Sequence, residues 1–173
     1  MRFDPEAGLR RWPIHIDLAG QVWTIPPLPA ADWMAAALTD WLDIVPGLTT
    51  NPDRLDDLLD DGAVSYSDCV TAARDALEAA AGCRWWTAQR LIHAACDWAA
   101  TGGELLLRGI DPGTAPLGAV LAATYRAATR NADPTEQARI DYELDKPPAG
   151  IPVRDWFDED AAADAFMALT TVD

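Results

Sequence analysis

The chain has 173 residues, of which half are apolar, and carries 13 lysines and arginines against 28 aspartates and glutamates for a formal charge of −15. That length suffices for one core without disulfide or metal staples, and the composition argues against a disordered chain. The charge repels nucleic-acid phosphates and anionic lipid, so both are excluded as partners and basic or neutral proteins are favoured.

Residues 1–11 carry Arg2, Arg10 and Arg11 but no apolar run of a signal peptide, and no stretch reaches the ~18 apolar residues of a spanning helix. Cys69, Cys83 and Cys96 form an odd set without C-x-x-C spacing. They read as free thiols in apolar helices, and the expected compartment is reducing cytoplasm.

Residues 12–26 predict a β-hairpin. Ile14, Ile16 and Leu18 alternate with His15 and Asp17, Ala19-Gly20 interrupts, and Val22, Trp23 and Ile25 follow. Pro26, Pro27 and Pro29 close the strand. A lone hairpin is marginal in water, so it must pack on helices or on a partner.

Helical spacing dominates from residue 30. Trp33, Ala37 and Trp41 fall four apart on one face, and Met34, Leu38, Leu42 and Val45 line the adjoining one, with Pro46-Gly47 as the stop. A helix apolar around most of its circumference is central or covered. Asn51-Pro52 opens a short helix to Asp61, stopped by Gly62. Ser65 with Asp68 three residues on reads as a capping box before a helix of Cys69, Val70, Ala73, Leu77 and Ala80 that ends at Gly82.

The helix from Arg84 to Thr101 is the most apolar and the predicted centre of the core, with Trp85, Trp86 and Trp98 inside it. After Gly102-Gly103, Glu104 to Arg108 adds about a turn, and Asp111-Pro112-Gly113 is a turn of the chain. Pro116 to Arg130 forms another helix with Leu117, Val120, Leu121, Tyr125 and Ala128 inward. Asp133-Pro134-Thr135-Glu136 starts a last helix to Asp145. The expected fold is therefore mainly α, a compact bundle of about five to six helices with a short N-terminal β-hairpin. Residues 1–11 are a flexible segment, 12–150 the helical domain, and 151–173 an acidic C-terminal segment with one amphipathic helix beyond the Pro147–Pro152 edge.

No catalytic constellation stands out. His93 and Asp97, one turn apart with Gln89 a turn before, come nearest to an oriented imidazole. They have neither a nucleophile motif nor a metal partner beside them, and the simpler reading is a polar stripe. His15 and His93 lie in different elements without ligand spacing. The aspartates at 56, 57, 60 and 61 lack the alternation of a calcium loop and read as a solvated face. No enzyme activity, cofactor or metal is expected. The candidates for partner contact are Trp33, Ala37 and Trp41 on the first long helix, and Trp156 with Phe157 beyond the proline-rich edge.

The run Gly82-Cys83-Arg84-Trp85-Trp86-Thr87-Ala88-Gln89-Arg90-Leu91-Ile92, then Trp98, then Gly103-Glu104-Leu105-Leu106-Leu107-Arg108-Gly109-Ile110-Asp111, resembles tail assembly chaperones of long-tailed actinobacterial phages. Val22 to Trp33, Asn131-Ala132-Asp133-Pro134 and Leu144 to Gly150 agree with that resemblance, which spans residues 20–150. It implies a non-enzymatic helper in the host cytoplasm that holds the tape-measure protein while tail-tube subunits polymerise, and that is absent from the finished particle. It also implies a family often made in two lengths by ribosomal frameshifting. A protein that coats a filament is expected to self-associate, with Trp33 and Trp41 as the contact. The other readings are a structural component of the head–tail junction or tail, and an acidic nucleic-acid mimic that blocks a DNA-binding enzyme, the latter resting on aspartates 40, 43, 53, 56, 57, 60 and 61.

Overall fold

A computed structural model describes residues 12–39, 44, 47–50, 53–97 and 103–151. The chain opens with strands β1 (Ile14–Leu18) and β2 (Gln21–Ile25), paired antiparallel with Ile14 opposite Ile25 and Ile16 opposite Trp23. The turn between them has two residues, Ala19 at φ 57° and Gly20 at φ 68°. Two positive φ values make a type I′ turn, whose twist matches that of the strands. Asp17 accepts a hydrogen bond from the Gly20 N–H at 3.0 Å through its carboxylate. Ile14, Ile16, Leu18, Trp23 and Ile25 are all buried on one face, whereas His15 and Asp17 face out.

Alanine in the left-handed region carries a steric cost of roughly 1–2 kcal/mol, which asparagine tolerates far better. Ala19→Asn is therefore expected to stabilise the protein by about 1 kcal/mol, read as a higher urea midpoint at unchanged slope. An unchanged midpoint would show that the turn carries no strain.

Helix α1 (Ala30–Ala37) follows the proline segment. Its first N–H groups are satisfied from outside the helix: Ala30 N–H donates to Ala115 O at 2.8 Å and Ala31 N–H to Pro112 O at 2.9 Å. Proline precedes both this helix and α6 (Leu117–Thr129), at Pro29 and Pro116, and the two helix starts are thereby tied together. The expected long helix to residue 45 is shorter. At its end the Thr39 hydroxyl donates to Ala36 O at 2.7 Å and Leu38 forms the cap. Gly47, expected as a stop, is itself helical together with Leu48.

The remaining helices are α2 (Asp53–Asp60), α3 (Tyr66–Ala81), α4 (Trp85–Cys96), α5 (Gly103–Leu107) and α7 (Pro134–Asp145). The described residues thus hold seven helices and one hairpin, a mainly α fold as the sequence predicts. The signals at Ser65, Gly82 and Asp133 are met, whereas Asn51-Pro52 lies outside the described residues and α4 ends at Cys96, short of the expected Thr101. Ser65 Oγ accepts from the Asp68 N–H at 3.3 Å while Asp68 accepts from the Ser65 N–H at 2.9 Å, and Gly82 closes α3 at φ 70°. The Ser65 hydroxyl and N–H hold the Asp68 carboxyl below its usual range. Asp133 Oδ1 accepts from Thr135 N–H at 2.8 Å and Glu136 N–H at 2.9 Å.

Helix α4 lies at the centre of the core as expected, touching α1, α3, α6 and α7, and it shares that place with α3. Helix α3 contacts β1, α4 and α6, and its buried face is mostly alanine: Ala72, Ala73, Ala76, Ala80 and Ala81 around Leu77. Small side chains let elements approach closely from two sides, and dense packing then supplies the dispersion contacts. Helix α4 buries Trp86, Ala88, Leu91, Ile92 and Ala95, but Trp85 is only partly covered. In α6 the inward set is Leu117, Val120, Leu121 and Thr124, with Tyr125 half-covered and Ala128 exposed, contrary to expectation. Thr124 tolerates full burial because its hydroxyl donates to Val120 O at 2.9 Å. Trp98 lies outside the described residues.

Candidate partner-binding groove

The two partner-contact candidates on α1 that are described point the wrong way for that task. Trp33 is 3% exposed and Ala37 8%, both on the side of α1 that packs on α6 and α4. They belong to the core, so the expectation that they meet another chain, or a second copy, is corrected. Trp41, Trp156 and Phe157 lie outside the described residues.

The opposite side of α1 is the open one. There Asp32, Ala35, Ala36 and Thr39 form one wall and floor of a shallow groove of about 640 Å³. Pro26, Leu28, Gly47, Leu48 and Thr49 complete its lining. Asp32 and Ala35 are exposed, and Ala36 is partly so. A side chain at Gly47 would meet open space, since an ideal Cβ there finds no atom within 4 Å. The groove is therefore roomy, lined by small and apolar groups, and charged at one rim by a carboxylate. Such a surface suits recognition of a protein segment by shape and apolar contact. The sequence signal that finds it is the run Ala35-Ala36-Ala37, in which small residues occupy the face beside the tryptophan.

The tryptophan-rich run that carries the family resemblance has a structural task. Helix α7 buries none of its residues, and its last turn would leave carbonyls unpaired. Helix α4 supplies the donors. Trp86 Nε1–H donates to Asp145 O at 3.1 Å and the Thr87 hydroxyl to Leu144 O at 2.8 Å. Arg90 Nη1 donates to Glu143 O at 2.7 Å, Leu144 O at 2.9 Å and Lys146 O at 2.7 Å. A guanidinium at a helix C-terminus also meets the negative end of the helix dipole. Farther along, the Tyr125 hydroxyl donates to Asp141 Oδ1 at 2.6 Å, and Gln137 Nε2 donates to the same hydroxyl. Burial first, and then the Asp141 carboxylate, push the Tyr125 phenol up to about 12.

The other candidates do not assemble a site. His93 is exposed, and Asp97 lies past the end of α4 at ψ 89°, where the helical i, i+4 relation no longer holds. The aspartates of α2 line an exposed face while Leu55 anchors the helix in the core. Among the described residues, no group of three or more His, Cys, Asp or Glu side chains could hold a metal ion, and no helix is long and apolar enough to cross a membrane.

The thiols differ in environment. Cys69 is fully buried, and burial together with the Glu78 carboxylate pushes the Cys83 thiol up to about 12, whereas Cys96 is exposed. At neutral pH only about one Cys83 in 10⁵ is then thiolate, the reactive form. An aqueous disulfide reagent is expected to label one thiol per native chain rapidly, at Cys96, and three after unfolding. Rapid labelling of Cys83 in the native protein would contradict this.

The chain matches no known protein family, and no curated protein or solved structure matches it significantly.

Proposed function

We propose that this chain is a non-enzymatic tail assembly chaperone of a long-tailed phage or prophage. In this reading it binds the tape-measure protein, keeps it soluble in the host cytoplasm while tail-tube subunits polymerise, and is left out of the finished particle. The reading rests on the sequence resemblance over residues 20–150. The single structural observation that supports it is the open groove on α1, lined by apolar and small side chains on a protein of charge −15.

The physics of the task fits those features. A tape-measure protein is long and helical and exposes apolar surface before the tube encloses it, and exposed apolar patches drive aggregation. A cover needs apolar contact on one side and strong solvation on the other. It must also leave when the tube forms, which a modest interface permits.

Co-expression tests the proposal. A tape-measure fragment from the same genome, insoluble alone, is expected to be recovered in the soluble fraction bound to this chain. Failure across several fragments, with and without tail-tube protein, overturns the chaperone reading. Retention of the chain in purified particles would instead make it a structural tail component.

A further inference from the structure

Resting on the reading above, we infer that the α1 groove receives a short amphipathic helix of a partner protein, with apolar side chains seated on Ala35, Ala36 and Gly47 and a lysine or arginine beside Asp32. Several features of the groove select that occupant over an extended strand. A strand is captured by main-chain hydrogen bonds to an unpaired sheet edge. Here the lining is α1, a proline segment and the helical Gly47-Leu48 with Thr49, none of them a sheet edge, and Pro26 has no N–H to offer.

Small floor residues let a partner helix approach closely and seat large side chains between them. The wall from Asp32 to Thr39 spans about 10 Å at helical rise, so the occupant engages it over roughly two turns. Anchors at i, i+3 or i+4, and i+7 then span its length.

Charge decides between the remaining occupants. Asp32 is exposed in the first turn of α1, and among the described residues the groove lining holds no cation. A second copy of the chain brings a further −15 of charge. The residues from 152 onward bring six carboxylates (Asp155, Asp158, Glu159, Asp160, Asp164 and Asp173) against Arg154 alone. Both are repelled by the surface that a cationic helix is drawn to.

Gly47 gives the sharpest test. Gly47 lines the groove, its backbone is not in the left-handed region and a Cβ there finds no atom within 4 Å, so Gly47→Leu adds bulk to the groove without backbone strain. Ala35→Glu, at an exposed helical position, places a carboxylate on the floor. Both variants are expected to melt within a few degrees of the parent.

The probe is a fluorescent 14-residue helix-forming peptide with leucines at i, i+4 and i+7 and lysines at its ends, titrated with the full-length protein and followed by anisotropy. Binding is expected to weaken at least about tenfold in Gly47→Leu and Ala35→Glu, and about two- to fivefold in Asp32→Asn. The counterpart with glutamates for lysines is expected to bind least. Undiminished binding by the two groove variants, or equal binding of the two peptides, overturns the inference. So does a sedimentation dimer of the parent that Gly47→Leu abolishes, which would make the occupant a second copy. A marked gain in peptide binding by the full-length Trp156→Ala/Phe157→Ala variant overturns it in favour of the chain's own C-terminal segment.

The tape-measure fragment separates this inference from the reading beneath it. Soluble recovery by the parent and equally by Gly47→Leu leaves the chaperone reading standing and removes the groove. Recovery by neither, with peptide binding intact in the parent, removes the chaperone reading alone.

Discussion

Trp33→Ala is expected to lower stability by about 3–5 kcal/mol, the largest effect of any single change considered for this protein. The indole sits on the inner side of α1 at 3% exposure, and it borders the small cleft shared with Ile14, Leu28, Ala80 and Leu117. Its removal therefore takes contacts at once from the hairpin, from α3 and from the start of α6. A helix of eight residues has little stability of its own, because nucleation costs more than so few hydrogen bonds return. Helix α1 is held chiefly by this side and by the two N–H groups that donate to the 112–115 turn. The measurement is urea unfolding followed by tryptophan fluorescence and far-ultraviolet dichroism. A loss under 1 kcal/mol, with partner binding abolished, would instead return Trp33 to an interface. Ala35→Glu, two residues on, is expected to do the reverse, sparing stability while weakening binding.

The contrast between those two positions shows where sequence reasoning stops. Pattern located α1 because Trp33 and Ala37 are four residues apart, yet Met34 and Leu38 make an equally good stripe. Which stripe is inside depends on what lies against the helix, and that is set by elements 80 residues away in the chain. Leu38 accordingly remains 44% exposed. The hairpin was legible because period-two alternation and the Ala19-Gly20 turn are both local. The Ser65–Asp68 box, Gly82 and Asp133-Pro134 were legible for the same reason, since a cap is completed within three or four residues. The spacing of Trp86, Leu91 and Ile92 placed α4 in the core, whereas the alanine face of α3, which packs there equally, carries a weaker apolar signal. The donor set of Trp86, Thr87 and Arg90 was invisible as such. Its acceptors are backbone carbonyls, which carry no sequence signal at all.

Arg90→Ala is expected to release the end of α7, and the effect should be local. Tyr142 O is the acceptor for Lys146 N–H, which leaves Glu143, Leu144 and Asp145 carbonyls in the last turn. Every one of these is taken by a side chain of α4, and Arg90 reaches two of them as well as Lys146 O. Bonds from a charged donor contribute about 1.5–3 kcal/mol, so losing the guanidinium costs the α7 end about 2–3 kcal/mol. No residue of α7 is fully buried, so little apolar contact remains to hold the helix once that donor is gone. The Tyr125–Asp141–Gln137 cluster still pins its middle. Amide exchange in residues 142–146 should therefore quicken about 30- to 150-fold, at 1.36 kcal/mol per decade. The amides of α3 should keep their protection, because α3 rests on its alanine face and not on α7. Thr87→Val, which removes one donor to Leu144 O, should quicken the same amides about fivefold. Equal acceleration in α3 would mean that the α4–α7 contact supports the whole fold. No acceleration in α7 would mean that solvent replaces the guanidinium at no cost.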